Sequence, residues 1–183
     1  MRNIIDYYTQ RIFPTTVVFK DLINDDNLNK EMTTRVLEGQ KTDLQTLPVY
    51  RYLIDHIEAF MRGMYEVREI NGNLKVVKMW ASILKPGESK QIGIQENSMW
   101  TGVYNVSCPA GSGNLFFDDP RPASKAIRPN FFRKDIAPHD VTRQPFYGAP
   151  GMCFIFPSWL PHGEEINKSD KDKINIYFNV EQS

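Results

Sequence analysis

Met152-Cys153-Phe154-Ile155-Phe156-Pro157-Ser158-Trp159-Leu160 runs straight into Pro161-His162-Gly163. The first half of this stretch is a continuous apolar run, short enough to be a buried strand. Two prolines, a tryptophan and a histidine follow. Eleven positions after His162 stands Lys173, which opens a second strand, Lys173-Ile174-Asn175-Ile176-Tyr177-Phe178-Asn179. A strand, a histidine at its end and a basic residue on a returning strand make one half of a possible site. What the upstream residues add beside it bears on what the chain can do.

The chain has 183 residues, enough for one domain with a substantial core. Its 22 Lys and Arg balance 22 Asp and Glu, so no global field favours nucleic acid or membrane as partner. Two cysteines, Cys108 and Cys153, make no disulfide framework and no CxxC, which reads as a reducing compartment. The N-terminus carries no long apolar stretch, so no secretory signal is expected, and no run approaches a membrane span of about 18 apolar residues.

Upstream, Ile12 to Phe19 is rich in β-branched residues and reads as an opening strand with Pro14 at its start. A helix follows: Asn24 or Asp25 can cap it, Leu28, Met32 and Val36 share a face, and Gly39 ends it. A second helix starts near Pro48, with Val49, Leu53, Ile57, Phe60, Met61 and Met64 as its apolar stripe. His56 neighbours that stripe and reads as a helix-boundary side chain. The period then drops to two. Asn71-Gly72 signals a hairpin, and strands are expected over Val76–Leu84, Gln91–Glu96, Met99–Ser107 and Leu115–Phe117. Residues 120–150 hold six of the 12 prolines together with several arginines and lysines. They read as a long loop without regular structure, either a solvated insertion or a partner-contacting arm. Two leading helices and seven or eight short strands predict a single α+β domain over 1–183, a sandwich or barrel with the helices packed on one side.

The chain resembles the short 2-oxoglutarate/Fe(II) oxygenase-like proteins found in phage and marine bacterial genomes. That resemblance implies a double-stranded β-helix, a jelly-roll or cupin-like barrel, and it covers nearly the whole chain. It rests on Ile12-Phe13-Pro14-Thr15, Trp80, Pro86-Gly87-Glu88, Asn97-Ser98 and Thr101-Gly102-Val103-Tyr104. It continues through Gly113-Asn114-Leu115-Phe116, Asp119-Pro120-Arg121, Phe156 to His162 and Ile174 to Asn179. Such enzymes hold Fe(II) with two His and a carboxylate, leaving positions open for 2-oxoglutarate and O₂. The proximal pair is expected as His-x-His or His-x-Asp just before Asn97-Ser98, but this chain has Gly93-Ile94-Gln95-Glu96 there. His162 matches the distal ligand, and Glu96 could offer one oxygen. Of the other two histidines, His56 lies on a helix, while His139 would have to be carried in by its loop. Lys173 stands where an arginine usually grips the co-substrate's far carboxylate, a role a lysine can fill as a point charge. With both proximal positions changed, His162 also reads as a strand-end residue hydrogen-bonded to backbone.

Elsewhere, Asp118-Asp119-Pro120-Arg121 could be a catalytic group or a strand end in which Asp119 pairs with Arg121. Ser158 has no nucleophile-elbow context, and no dinucleotide or P-loop motif is present. Trp80, Trp100, Tyr104, Trp159 and Tyr177 could line a small-molecule pocket but read better as core. Two functions follow. The first is a catalytically silent barrel without a cofactor, a structural or protein-binding module in a homo- or hetero-oligomeric assembly. The resemblance to a phage family makes that a virion neck, tail or capsid-associated component, in the virion or the host cytoplasm. The second is a working hydroxylase using Fe(II) and 2-oxoglutarate, with His162 and Glu96 on the metal, His139 as a possible third ligand, and Lys173 on the co-substrate.

Overall fold

The computed structural model describes residues 14–23, 25–66, 74–121 and 142–182. Strand β1 (Val18–Asp21) leads into helix α1 (Asp26–Leu37). Asp25 caps that helix: its backbone is extended, and its carboxylate accepts from the N–H groups of Asn27 at 2.9 Å and Leu28 at 3.2 Å. The other candidate cap, Asn24, lies outside the described residues. Gly39 just past the helix takes φ +104, the left-handed conformation that ends helices most cheaply when no Cβ is present. Two short 3-10 turns, Leu44–Thr46 and Pro48–Tyr50, feed helix α2 (Arg51–Glu66). Leu53, Ile57 and Met61 of the expected stripe are fully buried. His56 stays on the helix, its Nδ1 2.8 Å from the Tyr52 carbonyl one turn back.

The expected Asn71-Gly72 hairpin falls outside the described residues. Beyond it come β2 (Leu74–Leu84), β3 (Lys90–Gly93), β4 (Trp100–Ser107) and β5 (Leu115–Asp118). They are followed by β6 (Arg143–Phe146), β7 (Met152–Pro157), β8 (His162–Glu164) and β9 (Lys173–Gln182). The reading of 120–150 as lacking regular structure is corrected at its end. Arg143–Phe146 pairs antiparallel with β5, Asp118 opposite Arg143 and Phe116 opposite Pro145. Pro145 is tolerated because β6 is an edge strand, where a missing N–H removes no ladder bond.

The strands form two sheets, β1-β7-β4-β9-β2 and β3-β8-β5-β6. Neighbours in each sheet are distant in sequence, which is the interleaving of a double-stranded β-helix, and the two helices make the fold α+β. The larger sheet is covered on both sides. Trp100, Tyr104, Ile155, Ile174, Ile176 and Phe178 pack under Met32, Val36, Leu53 and Ile57 of the helices. Val103, Phe154, Phe156 and Tyr177 meet Leu115, Phe117 and Leu160 between the sheets. Gly102 lies opposite Phe178, and a Cβ there would run into the Phe178 ring, so the pairing of β4 with β9 requires the glycine. Tyr104 donates to Asn29 Oδ1 at 2.8 Å, pinning α1 to the sheet. Among the described residues no helix is long and apolar enough to cross a membrane.

Candidate functional site

Strand β9 explains where a site can exist. Its side chains alternate, and Ile174, Ile176, Phe178 and Val180 go to the helices. Lys173, Asn175, Tyr177 and Asn179 therefore point the other way, into the space between the sheets, and all are buried. Strand β8 crosses that space with His162 and Glu164 on one face. The polar face of β9 is thus the floor of a barrel interior rather than a solvated surface.

Glu164 is the hub. It is 1% exposed and its Oε2 lies 2.8 Å from Lys173 Nζ, itself 3% exposed. It also accepts from Asn175 Nδ2 at 2.7 Å and from Tyr177 Oη at 2.7 Å. Lys173 additionally donates to the Gly113 carbonyl at 3.0 Å. Burial alone would raise the Glu164 carboxyl. The Lys173 charge and hydrogen bond, the Tyr177 hydroxyl and the Lys90 charge outweigh it and hold the group below the ordinary carboxylate range. Burial and the nearby carboxylate push the Tyr177 phenol well up, so it remains a donor.

His162 sits two residues earlier on the same face, 4% exposed and in contact with the Phe156 ring at a centroid distance of 4.7 Å. Its Nδ1 lies 2.9 Å from the Leu160 carbonyl. A carbonyl only accepts, so Nδ1 carries the proton and Nε2 keeps the lone pair. Burial, with Lys90 adding to it, holds this imidazole below its ordinary pKa. The strand partner of His162 is Gly93. Paired residues of an antiparallel ladder project to the same side, so a side chain at 93 would stand beside the imidazole. Gly93 provides none, and a Cβ there would meet nothing within 4 Å. Gln95 is fixed through its backbone, donating to the Ser158 carbonyl at 2.9 Å. Glu96 is exposed in the connection between β3 and β4. His139 lies outside the described residues.

The structure therefore gathers His162 and Lys173 of the sequence-predicted residues and leaves Glu96 in the exposed connection. Among the described residues the donor set falls short of an Fe(II) site: one imidazole faces a glycine, and no three His, Cys, Asp or Glu side chains converge. Lys173, the residue expected to grip the co-substrate's carboxylate, is paired with the protein's own Glu164. Sequence reasoning missed Glu164 and Lys90. Glu164 was findable as the residue two after His162, hence on the same strand face. Lys90 is half-buried with its ammonium 3.1 Å from the Tyr177 ring centroid, and its pKa falls to about 8 because burial outweighs the pull of Glu164.

The acidic cluster after β5 is a strand end. Asp118 takes the Arg143 guanidinium at 2.7 Å, and Asp119 takes both the backbone and the side chain of Arg121. Cys108 and Cys153 are free, and burial raises both thiols, Cys108 to about 11. Tyr177 lies inside the barrel, with Trp80 stacked on its ring at 5.7 Å. Trp100 and Tyr104 belong to the helix-facing core, while Trp159 is exposed.

The barrel is similar to solved structures. A prolyl-4-hydroxylase from Pseudomonas putida superposes with a TM-score of 0.63 at 11% identity, covering 92% of this chain and 89% of that one. The non-heme alpha ketoglutarate dependent epimerase SnoN from nogalamycin biosynthesis gives 0.65 at 12%, covering 91% and 76%. HygX from Streptomyces hygroscopicus, solved with iron bound, gives 0.61 at 13%, covering 91% and 82%. At such identities the likeness establishes the fold alone. No curated protein matches the chain in sequence. Residues 78–179, more than half of the chain and the span from β2 to nearly the end of β9, match the family described as "Putative 2OG-Fe(II) oxygenase", and the chain belongs to that family.

Proposed function

We propose that this is a catalytically silent oxygenase barrel that serves as a structural or protein-binding module. The observation that supports this reading is the state of the two anchoring points. Where the metal's proximal ligand would stand beside His162 there is Gly93. Where the co-substrate carboxylate would meet Lys173 there is Glu164 at 2.8 Å. Metal affinity depends on several ligands acting together, so a single imidazole holds Fe(II) too weakly to matter. The module works with other protein subunits in a homo- or hetero-oligomer, and the family resemblance makes a phage particle the setting, as a neck, tail or capsid-associated part.

The test is thermal unfolding without oxygen, with and without Fe(II) and 2-oxoglutarate. A ligand present at a hundred times its dissociation constant stabilises by about 2.7 kcal/mol, which moves the midpoint of a domain this size by about 5–10 °C. No displacement is expected. A rise of that size, lost in His162→Ala, would establish a loaded metal site and overturn the reading. Light scattering on the eluted protein is expected to give a mass above that of one chain, alone or with a partner subunit.

A further inference from the structure

We propose that two copies of this chain join through β3, edge to edge and antiparallel, with Gly93 on the two-fold axis. This rests on the reading of the barrel as an assembling module and deepens it, by naming the surface used and its occupant, a second copy.

The edge is close to a palindrome. Lys90-Gln91-Ile92-Gly93-Ile94-Gln95-Glu96 reads nearly the same in either direction, with charges of opposite sign at its two ends. An antiparallel pair centred on Gly93 sets Ile92 against Ile94 of the partner subunit, and the Lys90 end against the Glu96 end. A two-fold interface has to be self-complementary, and this one brings no like charges opposite each other.

The backbone is turned the right way for it. Asp118 donates its N–H to the Pro161 carbonyl at 2.9 Å, so Pro161 and Gly163 face β5 while His162 turns its own backbone groups to Gly93. The bulge between Lys90 and Gly93 leaves Gln91 and Ile92 opposite Gly163, whose backbone is spent on β5. Gln95 also donates inward, to the Ser158 carbonyl at 2.9 Å. Alternation directs the backbone groups of Ile92 and Ile94 outward, along the open edge of the smaller sheet. A ladder centred on Gly93 uses these groups for its hydrogen-bonded pairs. Gly93 itself falls in the closely spaced pair on the axis, where it adds no side chain.

The side chains agree. Gly93 shares the side of His162, so Ile92 and Ile94 stand on the opposite face, 42% and 54% exposed. Pairing gathers them into a cluster of four isoleucines, two from each copy. Met99 and Trp159, also exposed, continue the apolar surface past the strand end: Ser158, which takes the Gln95 N–H, gives its own N–H to the Met99 carbonyl. The other three sheet edges are closed by recognisable devices. On β2 the N–H groups of Val76, Met79 and Ala81 go to Glu58, Gln45 and the Lys41 carbonyl. Strand β6 carries Pro145, and β1 is four residues long with Lys20 and Asp21 on it. Between Lys90 and Glu96 there is neither a charge nor a proline.

The experiment is light scattering on the eluted full chain from micromolar to near-millimolar concentration, with amide hydrogen exchange on the same samples. The wild type is expected at the mass of two chains, with the Ile92 and Ile94 amides slowed. Ile94→Lys puts a charge on an exposed edge position, so it should fold, which circular dichroism checks, and weaken the pairing at least about tenfold. Ile94→Val should keep the dimer. A wild type that stays at the mass of one chain would overturn the inference and leave this edge to a different chain. An oligomer that Ile94→Lys leaves intact, or one whose Ile92 and Ile94 amides exchange freely, would overturn it while the assembly reading stands. Failure of the silent-barrel reading is read separately, as a rise in unfolding midpoint with Fe(II) and 2-oxoglutarate.

Discussion

Glu164→Gln should be among the most damaging single-atom changes in the chain. The glutamine keeps the shape and the oxygen facing Tyr177, but it removes the charge 2.8 Å from Lys173. Lys173 is 3% exposed and cannot turn to water, and its other acceptor is one carbonyl, Gly113 at 3.0 Å. Stranding one member of a buried ion pair costs about 3–5 kcal/mol. For a chain of this length that is a fall in midpoint of about 6–20 °C. The assay is urea unfolding followed by tryptophan fluorescence, with the slope checked for constancy. The companion variants are Lys173→Met and the double change. The double variant removes the charge from both sides, so it should be more stable than the sum of the single losses by at least about 2 kcal/mol. A pH series adds a sign. In the wild type the Glu164 carboxyl is held low, so its contribution is present above its unfolded pKa and lost as pH falls through the folded value. Without Lys173, burial raises the carboxyl instead. The gap between wild type and Lys173→Met should therefore narrow as pH drops from 7 towards 4. A Glu164→Gln cost under about 1 kcal/mol, or strict additivity of the pair, would refute the claim that this carboxylate holds the barrel's polar interior together.

Gly93→His with Gln95→His should create Co(II) or Ni(II) binding visible by absorption spectroscopy, because the open side of Gly93 faces His162 across the ladder; equal binding by wild type would contradict the reading of the site. Lys90→Met should be more stable than wild type by on the order of 2–3 kcal/mol below pH 8, and the advantage should vanish between pH 8 and 10.5 as Lys90 discharges, read as the difference between denaturation curves so that thiol and phenol ionisation cancels. Gly102→Ala should cost about 1–3 kcal/mol in urea unfolding, since its methyl meets the Phe178 ring. Tyr104→Phe should cost about 1–3 kcal/mol by leaving the buried Asn29 amide unpaired, with amide exchange rising first in α1.

Much of the fold was legible because its signals are local. The Asp25 cap, the Leu28-Met32-Val36 face and Gly39 delimit α1 within a residue or two, since capping and periodicity need only neighbouring residues. Strand β7 was legible from its apolar run and β4 from alternation. Strand β6 was not: Arg-Gln-Pro-Phe has little strand propensity, and it forms because β5 offers it a ladder and Asp118 offers Arg143 a partner. That is a long-range cause with no local trace.

The site divides along the same line. That the positions expected to carry the proximal ligands hold Gly93 and Gln95 was visible from identity alone, because neither side chain is an imidazole. The fate of Lys173 was invisible, because it depends on what stands opposite. In β9 the order Lys-Ile-Asn-Ile-Tyr-Phe-Asn looks like a strand with one solvated face, yet the second sheet covers that face. Once the face is covered, each polar group on it must be satisfied from within. Lys173 could be satisfied by a diffusible carboxylate or by a built-in one, and Glu164 is built in. Had Lys173 been left as an empty anchor, its buried charge would be unpaired whenever the ligand was absent, and Glu164 removes that cost.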